Sequence, residues 1–299
     1  MFVHDVLQDA TPFILAAMGG LVAERAGIIN IGLEGIMLVG ALAAMLLAHY
    51  THSPLAGVAG AVLIGMMFVS IMGVFHLHFG ADMILAGFAL NLLATGGTVY
   101  VLWLITGETG NALSLESYPL GDITLPVVDG IPVLKGLSQQ SPIVYLALLS
   151  LPFTAWLLYR TRSGIHMRAV GESEDAVIEA GLNPRALRWR ALLLSGGFCA
   201  LAGAQLSMST TTTFVRDMTA GRGFIALGAV YLGAKHPVGT FIAALIFGVF
   251  EALAITLQIH TQVPTDLVLM LPYVATVAAL VVDGLRRRRA RNALTAVSA

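Results

Sequence analysis

Charge is what this sequence has least of. Asp, Glu, Lys and Arg together make up 11% of the chain, against roughly a quarter in ordinary soluble domains, which excludes a conventional solvated surface. Cysteine is almost missing: Cys199 stands alone in an apolar run, so an internal disulfide and a cysteine-built metal site are both ruled out, and packing is its expected role. No Gly-x-x-x-x-Gly-Lys-Ser/Thr phosphate loop occurs, so the polypeptide has no visible means of hydrolysing ATP. No His-Glu-x-x-His occurs either, and no Gly-x-Ser-x-Gly elbow with a histidine partner, which argues against an intramembrane enzyme. No Lys or Arg precedes Arg25. The opening stretch therefore lacks the basic region of a cleavable signal, and an outside N-terminus is permitted.

What fills the chain instead is apolar sequence: 57% hydrophobic residues and a mean hydropathy of +0.85. The class is an all-α polytopic integral membrane protein. The 32 glycines suit it, because helices in lipid associate through close backbone approach rather than through a hydrophobic force. Apolar stretches run over 11–23, 26–48, 54–79, 83–106, 142–159, 191–209, 223–234, 237–258 and 264–282. Most reach the ~20 residues that span a bilayer; 11–23 and 223–234 do not, and are expected as half-helices, tilted short spans or re-entrant pieces. The expectation is eight to ten transmembrane helices in a single transmembrane domain covering 1–299.

The basic residues set the orientation. Eleven of the sixteen lie in two clusters, Arg160 to Arg190 and Arg286 to Arg291, and both are expected on the cytoplasmic side. Alternate threading back from a cytoplasmic basic tail (284–299) places 160–190 inside and 107–141 outside. The outer loop's Glu108, Glu116, Asp122 and Asp129 against the lone Lys135 agree with that placement. The Arg286–Arg289 run reads as a stop-transfer anchor. Within 160–190, Ser173 suits a helix N-cap, Glu174 and Asp175 suit its positive end, and Gly181 with Asn183-Pro184 suits its stop. One exposed helix of about two turns follows, a device for touching a soluble partner.

Polar residues inside spans carry the most information, because a carboxylate there costs ~2.5 to 3.5 kcal/mol on insertion scales. Asn30 and Glu34, four apart, are expected to share a helix face. Either they line a solute route, or Glu34 bonds a neighbouring helix or pairs with Arg25. Asn91 can both donate and accept, as a polar solute would need, and helix-to-helix bonding explains it equally. Arg222 and Phe224 stand at the mouth of the short segment, where Phe224 reads either as stacking on a ring of the solute or as a lipid or core contact. Glu251 is expected to contact another helix. His76 and His78 flank a turn and read as interfacial rather than metal-binding, and no metal site is expected. Arg25-Ala-Gly-Ile-Ile-Asn-Ile-Gly-Leu and Arg222-Gly-Phe-Ile-Ala-Leu-Gly echo one another in opposite threading directions. They read either as an inverted repeat of broken helices, with a solute route at its interface, or as chance likeness between Gly-rich segments.

Four ordered blocks then resemble a known family. Asn30-Ile-Gly-Leu-Glu-Gly-Ile-Met-Leu-Val-Gly40, Ala86-Gly-Phe-Ala-Leu-Asn91, Arg162-Ser-Gly-Ile-His-Met-Arg-Ala-Val-Gly171 with Ala176, Ala180-Gly181-Leu182 and Leu194-Ser-Gly-Gly, and Gly221-Arg-Gly-Phe-Ile-Ala-Leu-Gly228 resemble permease subunits of bacterial ABC importers, in the branch that serves ribose-type sugars and nucleosides. The last block is similar to the nucleoside subgroup. Glu172 departs from the Asn many relatives carry, and Lys235-His236 from a Trp-Asn type pair. The resemblance implies a multi-pass protein of the bacterial inner membrane that moves a nucleoside, nucleobase or pentose inward. It implies cytoplasmic ABC ATPases that use ATP and Mg, a second and different permease, and an external substrate-binding protein, with no cofactor on this chain and no nucleic-acid partner. It also gives Gly171, Ser173, Ala176, Ala180 and Gly181 a docking role in the ATPase-coupling helix. An ion-coupled secondary transporter is the rival class; it would need no ATPase and would tolerate bulk at Ala176 or Gly181.

Overall fold

A computed structural model describes residues 2–112, 114–115, 118–124 and 138–260. They form ten helices: α1 Phe2–Arg25, α2 Leu33–Thr51, α3 Pro54–Leu77, α4 Met83–Thr106, α5 Pro142–Arg160, α6 Arg162–Glu172, α7 Glu174–Glu179, α8 Pro184–Gln205, α9 Arg222–Leu232 and α10 Pro237–His260. A π-helical turn, Leu206–Thr210, continues α8. Seven of the helices are long and apolar enough to cross a membrane, and α9 is a shorter apolar helix. The chain is an all-α, multi-pass membrane protein. The expected span 264–282 and the basic tail lie outside the described residues.

Helix starts follow the local chemistry. Pro54, Pro142 and Pro184 occupy first-turn positions, where a missing N–H costs nothing. Asp82 accepts from Leu85 N at 2.9 Å to begin α4, and Asn183 accepts from Ala186 N at 3.2 Å to begin α8. Asn183-Pro184 therefore opens the next helix as well as closing the preceding turn, and α8 starts seven residues before the expected 191.

Burial separates an inner trio from an outer shell. The most apolar windows of α1, α2 and α8 are 83%, 67% and 78% buried, against 28% to 33% for α3, α4 and α5. The inner helices approach through small residues. A methyl placed on Gly40 would stand 2.6 Å from Ala200 Cα, and one on Gly203 would stand 2.7 Å from Ala41 N with the Met37 carbonyl closer still. Cys199 is fully buried in this packing.

Two expectations are corrected. The stretch 11–23 is not a short piece: it is the second half of the 24-residue α1, whose beginning was hidden by Asp5, Gln8 and Asp9 and by Pro12. The run 26–48 is not one span. Gly27 has φ +79°, a left-handed conformation that ends α1, and residues 26–32 continue without helix until Leu33. Asn30 therefore does not share a helix face with Glu34. It sits in the break before α2.

The basic end also carries more helix than expected. Thr161 caps α6 through Gly164 N (3.0 Å), and Ser173 caps α7 through Ala176 N (3.3 Å). Gly181 adopts φ +75° after α7. At the other end, the Ala112 N to Phe214 O (2.9 Å) and Arg216 N to Gly110 O (2.7 Å) bonds join the loop after α4 to the loop after α8.

Candidate functional site

The two echoed segments meet. α2 runs from Leu33 to Thr51, and His52, just beyond it, bonds Tyr118 of the loop after α4 at 2.7 Å. α9 runs the other way: it starts beside Glu34, and Lys235, just past its end, pairs with Glu24 near the C-terminus of α1. Both helices begin after a break and diverge from a shared point. The eleven residues of α9 rise about 16 Å, roughly half of a hydrocarbon core of about 30 Å. The junction thus lies about 16 Å from the Lys235 end of the bundle, inside it rather than at either face.

Glu34 holds that junction. Its two carboxylate oxygens accept from Gly221 N at 2.7 Å and Gly223 N at 2.6 Å, so it caps the N-terminus of α9 from the first turn of α2. Gly221 has φ +79°, and a Cβ on Gly223 would lie 2.5 Å from Glu34 N; only glycines let the two helix starts come this close. A carboxylate here also meets the positive end of the α9 dipole. Of the two sequence readings of Glu34, the helix-bonding one describes the contacts it makes; Arg25 instead donates to the Tyr159 hydroxyl at 3.3 Å.

Asn91 and Asn30 secure the break that precedes α2. The Asn91 side chain accepts from Gly35 N at 2.8 Å and donates to Ile31 O at 3.0 Å, which satisfies backbone groups that a broken helix leaves open. Asn30 donates to Ser195 Oγ at 2.9 Å on α8 and accepts from Gly32 N at 3.1 Å. Both asparagines are buried.

Arg222 turns from the same junction toward α10. It pairs with Glu251 at 2.6 Å and donates to Met218 O at 3.0 Å, so Glu251 does contact another element, as expected. Phe224 is exposed and lies 6.4 Å from the Phe88 ring of α4, the two rings tilted. Asn30, Glu34, Asn91, Arg222 and Phe224 are thus brought to one region where α2, α4, α8 and α9 converge. Arg222→Ala is expected to lower thermal stability by about 2 kcal/mol, the order of a lost charge-assisted hydrogen bond. Arg222→Ala/Glu251→Ala should recover part of that loss in a detergent melt, because the single variant leaves a carboxylate without its partner.

The basic end holds a second cluster. In α7 only Val177 is buried, packed with Val22, Ala26, Met167, Val170 and Leu187, while Glu174, Asp175, Ala176, Ile178 and Glu179 face outward. Ala180 and Gly181 are exposed as well, and no atom lies within 4 Å of where a Gly181 Cβ would stand. Gly171, at the end of α6, touches the α1 terminus: a Cβ there would fall 2.9 Å from Gly27 N and closer to the Arg25 carbonyl. Beside that contact Glu24, largely buried, takes Lys235 Nζ at 2.6 Å and the Tyr231 hydroxyl at 3.2 Å. The Arg168 guanidinium stands 4.5 Å above the Tyr159 ring.

The end of α1 thus touches the α6–α7 corner on one side and grips the base of α9 on the other. Sequence reasoning missed Glu24 and Lys235 in this role. The signal was present, since a carboxylate at the end of an apolar run calls for a partner by the cost argument used for Glu34.

A bundle of apolar helices with two broken segments meeting inside it and an outward-facing short helix at its basic end has the design of a membrane permease. The match to known families agrees: the model for the branched-chain amino acid transport system permease component covers residues 2–280. The chain belongs to this permease family. It is 34% identical over 292 residues to the guanosine ABC transporter permease protein NupQ of Bacillus subtilis, covering 94% of this chain and 91% of that protein. It is 31% identical to the nucleoside ABC transporter permease protein NupC of Lactococcus lactis, with the same coverage. A putative glucose ABC transporter permease protein of Haloferax volcanii, TsgC13, is 28% identical over 97% of this chain and 94% of its own length. No solved structure matches the chain.

Proposed function

We propose that this chain is the permease subunit of an ATP-driven importer that carries a nucleoside inward across the bacterial cytoplasmic membrane. The substrate class rests on the two relatives above 30% identity, both named for guanosine or nucleosides. In this reading the basic end and the C-terminus face the cytoplasm. An ATPase subunit hydrolyses ATP with Mg and docks on α7, a second, different permease completes the pathway, and an external binding protein delivers the solute. This chain binds no cofactor.

The observation that carries the mechanism is the exposure of α7, held by the buried Val177 and the Glu174–Arg188 ion pair, with the small Ala176, Ala180 and Gly181 exposed on and just after it. A groove on a partner can approach such a surface closely. Closure of two ATPases then pushes α6 and α7; Gly171 bears on the Arg25 carbonyl; and the end of α1 moves the base of α9 through Glu24 and Lys235. At its far end α9 is joined to α2 by Glu34. The two broken helices shift relative to one another at their shared point, where a route opens.

Ala176→Trp tests this. The position is exposed, so the indole leaves the permease fold intact but blocks close docking. ATPase subunits that co-purify with the wild-type chain are expected to be lost, and ATP-dependent uptake of radiolabelled guanosine in proteoliposomes to fall to background, with an unchanged melting temperature. Gly181→Trp should act in the same direction. Uptake by the chain alone without ATP, unaffected by Ala176→Trp, would instead establish an ion-coupled carrier.

A further inference from the structure

Beside α7 the structure forms a polar cavity of about 390 Å³, lined among others by His76, His78, Gly80, Glu174, Arg185 and Arg188. It lies between the α3–α4 turn and the first turns of α8, at the basic end of the bundle. Glu174 engages Arg188 at 2.9 Å, while among the described residues no carboxylate pairs with Arg185. The Arg188 Nε is buried without a partner. His76 Nδ1 bonds the Ala81 carbonyl at 2.9 Å, which directs its other nitrogen away from that bond. The cavity therefore holds two arginines and two histidines against one carboxylate.

Around the same turn the surface changes character. A groove of about 320 Å³ between α3 and α4 is lined by apolar side chains that include Ile71, Phe75, Leu85, Ala89 and Leu93. Phe75 is 51% and Phe79 75% exposed, and Trp189 packs edge-on to His78 at 5.9 Å. Basic groups at the level of an amphipathic Trp, next to an apolar groove running down the membrane face, match one ligand shape: an anionic head with acyl chains.

We propose that this cavity and groove form a site for an anionic phospholipid, its phosphate against Arg185 and Arg188 and a chain along α3 and α4. The lipid site needs only that the chain spans a bilayer; its effect on α7 as an ATPase-facing helix rests on the function proposed above. Because Glu174 belongs to α7 and to the cavity wall, a headgroup there competes with Glu174 for Arg188 and bears on the helix offered to the ATPase. Activity of the assembled transporter is then lipid-dependent.

The test uses the full-length chain with Trp103→Phe and Trp156→Phe, leaving Trp189 as the reporter, in phosphatidylcholine vesicles containing a minor fraction of lipid brominated near the headgroup end of its chains. Brominated phosphatidylglycerol is expected to quench Trp189 with an apparent affinity about fivefold above brominated phosphatidylcholine, the order contributed by one basic side chain at an anionic surface. Arg185→Gln/Arg188→Gln should abolish that preference. Glu174→Gln, which frees Arg188, should increase it, so a loss through misfolding of the double variant is distinguishable from loss of the site. Equal quenching by the two lipids in the wild-type background overturns the proposal. So does removal of the preference by millimolar inorganic phosphate, which would assign the cavity to a free phosphate instead of a lipid.

Discussion

Alanine in place of Glu34 is expected to reduce uptake at least a hundredfold, with the chain still inserted in the membrane. Glu34 accepts from Gly221 N, just before α9, and from Gly223 N in its first turn, and hydrogen bonds to a charged acceptor contribute about 1.5 to 3 kcal/mol each. Both donors are only partly buried, and within a bundle of apolar helices a backbone group left unsatisfied costs free energy. The N-terminus of α9 would leave its seat against α2, and the two broken helices would no longer move together. Glu34→Gln should keep part of the function, since its amide offers one acceptor oxygen but turns a donor toward the second N–H. Glu34→Asp, shorter by a methylene, should fall between. Melting temperature and uptake are therefore expected to decline together in the order Glu, Gln, Ala. Glu34→Gln that raises KM for the solute with an unchanged melting temperature would show a carboxylate that meets the solute instead of holding the junction. Wild-type uptake by Glu34→Ala would remove the junction from the mechanism.

Gly203→Val is expected to be the most damaging packing change. At this position α8 lies against α2 so closely that even a Cβ would overlap the Met37 carbonyl and approach Ala41 N to 2.7 Å. These are backbone atoms, so no side-chain rotation relieves the contact and the helices must separate. Overpacking typically costs 1 to 3 kcal/mol; an unyielding backbone contact puts this one at about 3 kcal/mol or more, with loss of the contacts that hold helices together in lipid. Thermal unfolding in detergent should shift down sharply, and the yield of monodisperse protein should drop. Gly96→Val is the matched control, because no atom lies within 4 Å of a Cβ there. Equal melting temperatures for the two variants would contradict the packing argument.

Legibility differed from element to element. The helices α3, α4 and α10 were visible as long apolar runs, since length and hydropathy are sufficient where every turn faces lipid or apolar neighbours. The cap at Ser173 and the stop at Gly181 were visible because their chemistry is local. The start of α1 was not, because Asp5, Gln8 and Asp9 interrupt the run, and their positions depend on neighbours elsewhere in the chain. The break at 26–32 was hidden for the converse reason: Ala26-Gly-Ile-Ile reads as apolar span, and only the left-handed Gly27 with side chains from α4 and α8 makes a non-helical path acceptable there.

The site residues show the same division. Their cost in lipid singled out Asn30, Glu34 and Asn91, and a cost argument says that a partner must exist without saying which one. Asn91 proved to be spent on the backbone of the α2 break, and Glu34 on the start of α9, 187 residues away along the chain.

By itself, then, the sequence determined the class of this protein, because composition and hydropathy decide which solvent a chain can occupy. It also determined the short helix in the basic segment, written in a cap at Ser173 and a stop at Gly181 a few residues apart. Only the tertiary structure decided that two breaks meet, that Glu34 and Gly223 join them, and that Glu24 and Lys235 tie the base of α9 to α1. Those are pairings between distant segments, and the partner of a buried polar group is chosen by which helices pack together, a property of the whole fold.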